Sequence, residues 1–104
     1  MDVKKYVRVQ PDGVHWPDAD VGDDLYYGID FNACINVAKG EEITGVEWIL
    51  PDELTSSDSF VQDNIVNIKL YSPTVGTFKV ICKLSTLLSG KSETQAAPMM
   101  LTVY

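Results

Sequence analysis

The stretch Thr77-Phe78-Lys79-Val80-Ile81-Cys82-Lys83-Leu84-Ser85-Thr86 decides the fold of this chain. Apolar side chains recur at every second position, and side chains two apart lie on the same face of a β-strand. The stretch is therefore predicted to be a strand with one buried row and one outward row. The buried row is Phe78, Val80, Cys82 and Leu84. The outward row is Thr77, Lys79, Ile81 and Lys83.

Similar short β-like stretches, separated by turn residues, fill the rest of the sequence. They predict about seven short strands in an all-β, Ig-like antiparallel β-sandwich, since sandwiches show turn signals roughly every 8–12 residues. Residues 52–58 are predicted to be a loop, or at most one short helical turn, and residues 88–91 a hairpin turn. The other predicted strands are 4–9, 25–37 with a possible break near Asp30, 43–50, 65–71, and 92–104 with Pro98 as an interruption or edge.

The length of 104 residues and the apolar content of 45% suit a single domain with a core of its own. Residues 1–13 are predicted to be an N-terminal strand or arm. Residues 14–104 are predicted to form a single β-sandwich domain. The longest apolar runs are far shorter than the ~20 residues of a membrane helix. The start also lacks the apolar stretch of a secretion signal, so synthesis in a cytoplasm is expected.

Charge is divided unevenly along the chain, whose net charge is −7. Residues 9–63 carry thirteen acidic residues and one basic residue, whereas residues 64–104 carry one acidic and four basic residues. An acidic chain repels phosphate backbones, so neither nucleic acid nor a membrane is expected as a partner. The two-signed distribution suits contacts with other proteins, although solubility alone also explains it.

Cys34, Trp48 and Cys82 fall on three different predicted strands, in the order of the Cys, Trp and Cys of immunoglobulin domains. The separation of the cysteines is short for that fold, and Val80 stands where its conserved tyrosine is expected. Trp48 is therefore predicted to be a core residue. The two cysteines are predicted to be reduced thiols, as is usual in a cytoplasm.

Catalysis has no candidate residues in this sequence. His15 is the single histidine and has no evident acid–base partner, and no nucleophile motif or phosphate-binding loop occurs. The acidic loop Asp18–Asp24 departs from the EF-hand pattern at Gly22 and is expected to be solvated. The chain is therefore predicted not to be an enzyme and to bind no cofactor or metal. Trp16, Tyr26 and Tyr27 are either core aromatics or interface anchors.

Several short motifs give the chain a family resemblance. It is similar to a family of small tailed-bacteriophage virion proteins that are often labelled fibre–tail adaptor proteins. The matching residues are Trp16–Asp20, Tyr27–Phe31, Gly40–Ile43, Trp48–Pro51, Val75–Val80, Leu84–Thr86 and Gly90–Lys91.

The resemblance implies an accessory virion structural protein that bridges larger components at the tail or the tail-fibre attachment. It implies partners among other virion proteins (tail, fibre or capsid), multiple copies by virion symmetry, and assembly in the host cytoplasm into the virion. Two alternatives remain open: a capsid decoration (cement) protein, and a carbohydrate-binding or adhesion module.

The candidate partner-binding residues come from two parts of the chain. Lys79, Ile81 and Lys83 point outwards from the strand quoted above, and Lys4, Lys5 and Arg8 lie in the N-terminal arm. We expect these basic residues to meet an acidic surface, since heterologous contacts favour opposite charges. The alternative is that Ile81 is simply a strand former covered by lysine stems.

Overall fold

The computed structural model of the chain describes residues 7–8, 14–32 and 35–104. Almost all regular structure in these residues is β-strand, apart from one 3-10 turn at Val37–Lys39. The strands are Val7–Arg8 (β1), Val14–His15 (β2), Asp24–Asp30 (β3), Glu42–Ile49 (β4), Thr55–Gln62 (β5), Ile65–Tyr71 (β6), Gly76–Leu88 (β7) and Lys91–Val103 (β8).

The strands form two four-stranded sheets, ordered β1-β3-β6-β5 and β2-β8-β7-β4. All pairings are antiparallel except the two-residue contacts of β1 with β3 and of β2 with β8, which are parallel. The all-β, Ig-like sandwich is thereby confirmed. Its strands differ from the prediction in length, because β7 and β8 form one long hairpin of thirteen residues on each side.

The core lies between the two sheets and includes the alternating row of β7. Val80, Cys82 and Leu84 are completely buried, and Phe78 is partly buried against them. The predicted inward row is therefore confirmed. In the opposing sheet, Ile29 on β3 and Ile68 on β6 are also buried.

Two hairpins turn through residues with positive φ. Ser89 and Gly90, at φ 51° and 79°, close the predicted turn between β7 and β8. Asp63 and Asn64, at φ 53° and 63°, close the turn between β5 and β6 in the same way. Two-residue turns of this kind match the twist of the flanking strands, and Asp and Asn tolerate this backbone region better than most residues.

Two strand boundaries were predicted wrongly. The possible break near Asp30 is confirmed, since the strand ends there, but residues 31–32 and 35–37 do not continue the strand expected up to residue 37. Oδ1 of Asp30 accepts hydrogen bonds from the backbone and side-chain nitrogens of Asn32. Such local bonds favour a turn over a continuing strand. The loop predicted over 52–58 is found only at 52–54, since β5 begins at Thr55, and the exposed Ser and Thr side chains of β5 suit an edge strand.

Proline 98 does not interrupt the last strand. It lies within β8, opposite Ile81 of β7. On the other side of β8, the pairing with β2 begins only at Met99. The missing backbone N–H of Pro98 therefore leaves no described strand without a hydrogen-bond donor on that side. Within the described residues, no helix has the length and apolar character to cross a membrane.

Candidate partner-binding surfaces

The outward row of β7 forms the centre of the first candidate surface. Lys79 and Lys83 are exposed and Ile81 is half-buried. Ile81 lies directly opposite Ile49 on β4 and Pro98 on β8, and residues opposite each other on neighbouring strands share one face of the sheet. These three residues, the isoleucine row, run across three strands of the outer face. Ile49 is 38% exposed, so the row is open to contact.

The charges around the isoleucine row are mixed rather than uniformly basic. Lys83 lies opposite Glu47 on β4, which places an acid beside it on the same face. Lys79 lies opposite Met100 on β8, and Met100 in turn lies opposite the exposed His15 on β2. The face therefore has an apolar centre, one lysine next to an acid and one lysine next to an apolar side chain.

Sequence reasoning found Ile81 on this face but not Ile49, Pro98 or Met100. Alternation within a strand shows which residues share its outward side. It does not show which residues of other strands lie beside them, because that depends on the register. The outward position of Ile49 within the alternation of its own strand was the one available signal, and it became informative once Ile49 was found opposite Ile81.

The basic residues of the N-terminal arm are not brought to this face. Lys4 and Lys5 lie outside the described residues. Arg8 lies in β1, whose backbone pairs with Asp30 in the sheet that does not contain β7. Within the described residues, the two groups of predicted partner-binding residues therefore lie in different sheets.

A second candidate surface lies between β4 and β5, which are the edge strands of the two sheets on the same side of the sandwich. A cavity of about 270 Å³ opens between them. We call it the edge groove. Its lining is mostly apolar and consists of Ile43, Thr44, Gly45, Val46, Trp48, Ser59, Phe60, Val61 and Val66.

The groove exists because short side chains face it from β5. Val61 lies opposite the buried Val66 and therefore shares its inward face, yet Val61 is 45% exposed. Ser59 lies opposite the buried Ile68 and is also exposed. Neither side chain is large enough to close the gap to β4, so the apolar interior is accessible from this side.

Trp48 stands at the inner wall of the edge groove. It packs against the core, with its ring centroid 6.3 Å from that of Trp16, but it is only half-buried. The prediction of a core tryptophan therefore holds for one side of the ring only. Its Nε1 is buried and has no hydrogen-bond partner among the described residues. A buried donor without a partner costs about 1–3 kcal/mol.

The other aromatic candidates divide between core and surface. Trp16 and Tyr27 are buried, and the Trp16 Nε1 donates to the Gly28 carbonyl oxygen at 2.9 Å. Tyr26 is half-exposed, and its hydroxyl donates to Asp58 Oδ2 at 2.6 Å. This hydrogen bond, with some desolvation, raises the pKa of Tyr26 above its ordinary value. Trp16 and Tyr27 are therefore core residues and not interface anchors.

The candidate metal-binding and thiol residues have structural surroundings. Within 14–32 and 35–104, no group of three or more His, Cys, Asp or Glu side chains is placed to hold a metal ion. In the acidic loop, Asp23 Oδ2 accepts a hydrogen bond from the Asp20 backbone at 2.9 Å and so stabilises the turn itself. Cys82 is a free thiol whose burial raises its pKa to about 12. Cys34 lies outside the described residues.

Comparisons with known proteins support the fold. No protein-family model matches the chain, and no curated protein matches it. Among solved structures, it is similar to the cysteine protease inhibitor EhICP2 from Entamoeba histolytica, with 14% identity, 95% of each chain covered and a TM-score of 0.53. At this identity the likeness establishes the fold alone. The chain is an Ig-like β-sandwich module, and the neighbour named here is an inhibitor rather than an enzyme.

Proposed function

We propose that this chain is an accessory structural protein of a tailed-bacteriophage virion, which bridges larger components at the tail or tail-fibre attachment and acts by surface contact rather than catalysis. The motif resemblance supports the setting. The observation that carries the proposal of a contact surface is the isoleucine row on the outer face of β4, β7 and β8.

The isoleucine row has the composition of a small protein interface. Its apolar centre is bordered by Lys79, Lys83 and Glu47, and interfaces typically combine an apolar core with a polar rim. Ile81 and Pro98 lie on the long β7–β8 hairpin, so the shape of this part of the row is fixed before binding. Little ordering entropy is then lost on association.

The partner that fits this face has an apolar patch with acidic residues beside it. Lys79 has no acid opposite it in the sheet, so a partner carboxylate would give it a counter-charge. The burial of Trp16 and Tyr27 argues against the alternative of a carbohydrate-binding module, because such a module needs a row of exposed aromatic rings.

The test is to reverse charge in Lys79→Glu/Lys83→Glu and to measure incorporation into particles that lack the protein. Lys91→Glu is the matched control, since Lys91 is an equally exposed lysine at the far end of the hairpin. We expect the double variant to fold normally and its incorporation to fall at least about tenfold, a loss of 1.4 kcal/mol. Incorporation equal to wild type across a range of salt would contradict the proposal. Electron microscopy of labelled particles then separates a tail position from a capsid decoration site.

A further inference from the structure

We propose that the edge groove binds residues 1–6 of a second copy of this chain as an added β-strand, so that copies associate head to tail. This surface is separate from the isoleucine row, and the inference stands or falls independently of the proposed function.

The backbone of both groove walls is available for strand addition. Among the described strands, β4 pairs only with β7, and β5 pairs only with β6. The opposite side of each strand therefore presents backbone N–H and C=O groups that no described strand pairs with. Each strand has one irregularity, at Thr44 and at Ser57, but Gly45–Ile49 and Asp58–Gln62 continue in register beyond it. Extended peptides commonly bind exposed sheet edges of this kind.

The interior of the groove favours an occupant with apolar side chains on one side. Val46, Val61 and the ring of Trp48 line it, and they are not fully covered. An added strand would bury them further, while its backbone groups pair with the open edge of a groove wall.

None of the described residues that line the groove is charged, but the segment around it is acidic and favours a basic occupant. Residues 41–63, which form β4, β5 and their connection, contain seven acidic residues and no basic residue. The exposed members are Glu42, Glu47, Asp52, Glu53 and Asp63. Residues 1–6 contain two basic residues and one acidic residue. In an extended strand Met1, Val3 and Lys5 would share one side, with Lys4 on the other.

The length of residues 1–6 also matches the length of the edge groove. Six extended residues span up to about 20 Å, which matches the six residues from Ile43 to Trp48 along β4. The occupant has to come from another copy, because β1 lies at the far end of its sheet from β5. Three strand spacings of about 4.8 Å separate β1 from β5. Residues 1–6 of the same chain would therefore use most of their length in crossing the sheet before reaching the groove. Contacts of this heterologous type generate rings or filaments.

The experiment uses the full chain and measures self-association by sedimentation velocity at low and high salt. Val61→Lys places a positive charge in the groove, and Val75→Lys is the matched control, since Val75 is 64% exposed and lies outside the groove. We expect concentration-dependent association of the wild type that weakens at least about tenfold with Val61→Lys and with Lys4→Glu/Lys5→Glu. Val75→Lys and the Lys79→Glu/Lys83→Glu variant are expected to associate like wild type.

A synthetic peptide of residues 1–8 provides the second measurement. Its binding should change the fluorescence of Trp48, and Trp48→Phe should remove that change while the buried Trp16 remains as an internal reference. The control peptide carries Lys4→Glu and Lys5→Glu and should not bind. A chain that stays monomeric at high concentration, with no fluorescence response to the peptide, would overturn the inference. Association that Val61→Lys leaves unchanged would overturn it too.

Discussion

Trp48 of β4 lies directly opposite Cys82 of β7, and the two residues share the inward face of their sheet. They differ in burial, because Cys82 is fully enclosed whereas Trp48 is half-buried. The difference arises from their strands. β7 has a neighbour on each side, whereas β4 is an edge strand whose inward side chains border the groove. Burial thus decreases across one row of the core towards the edge groove.

The two tryptophans should therefore differ in their contribution to stability. We expect Trp16→Ala to cost about 4–5 kcal/mol, since it removes a buried ring and the hydrogen bond to Gly28. Trp48→Ala should cost about 2–3 kcal/mol and leave a folded chain, because its ring is only partly enclosed. Trp48→Phe should be nearly neutral, since it also removes a buried N–H without a partner. Urea unfolding measures all three. Equal losses for both alanine variants would contradict this account.

The thiol of Cys82 should be inert in the folded chain. Burial raises its pKa to about 12, so almost no thiolate is present at pH 8, and reagent cannot reach the sulfur. In a Cys34→Ser background, we expect no reaction with a thiol reagent under native conditions and one equivalent after unfolding. Rapid native labelling would show that the β7 row is less enclosed than the structure indicates.

Glu41 should make stability depend on pH. Its Oε2 accepts a hydrogen bond from the Thr86 hydroxyl and its Oε1 one from the Asn36 backbone, both at 2.6 Å. These bonds lower the pKa of Glu41 in the folded chain below its ordinary value. The unfolded chain therefore binds the proton more readily, and the stabilisation is present above the unfolded pKa and lost as the pH falls through the folded pKa.

Thermal unfolding of Glu41→Gln measures this contribution. We expect the variant to be less stable than wild type at pH 7, with a difference that shrinks as the pH falls below about 4. Thr86→Val, which removes the hydroxyl donor, should show the same trend. A difference that is constant from pH 7 to pH 3 would mean that the carboxylate of Glu41 does not supply it.

Gly76 should tolerate a side chain poorly. Its φ is 150°, and a Cβ there would stand 3.0 Å from the Phe78 ring, which packs against the core. Gly90 also has positive φ, at 79°, but a Cβ there meets nothing within 4 Å. We expect Gly90→Ala to cost about 1 kcal/mol from backbone strain and Gly76→Ala about 2 kcal/mol or more. Denaturant unfolding of the pair measures the difference, and equal costs would exclude a role for the Phe78 ring.

The sequence predicted the parts of the fold that depend on local alternation. The inward row of β7, the exact extent of β6 and the turn at Ser89 and Gly90 could all be read from it. β5 was missed because its many Ser and Thr residues resemble a loop, and its strand form depends on pairing with β6.

The candidate surfaces were less predictable for the same reason. Ile81 was identified from its own strand, but Ile49 and Pro98 joined it through register, which alternation does not determine. The edge groove depends on which strands lie at the sheet edges and on the small size of Ser59, so only the assembled sandwich shows it.

The most direct measurement of the central claim is photo-crosslinking from the isoleucine row within assembled particles. A photoreactive residue replaces Ile81, and the control places it at Tyr71, which is 43% exposed on an outward-facing position of the other sheet. After irradiation of purified particles, mass spectrometry identifies the crosslinked component. The account predicts a crosslink to another virion protein from position 81 and none from position 71. Crosslinks from position 71 alone, or no incorporation of the folded wild-type chain into particles, would contradict it.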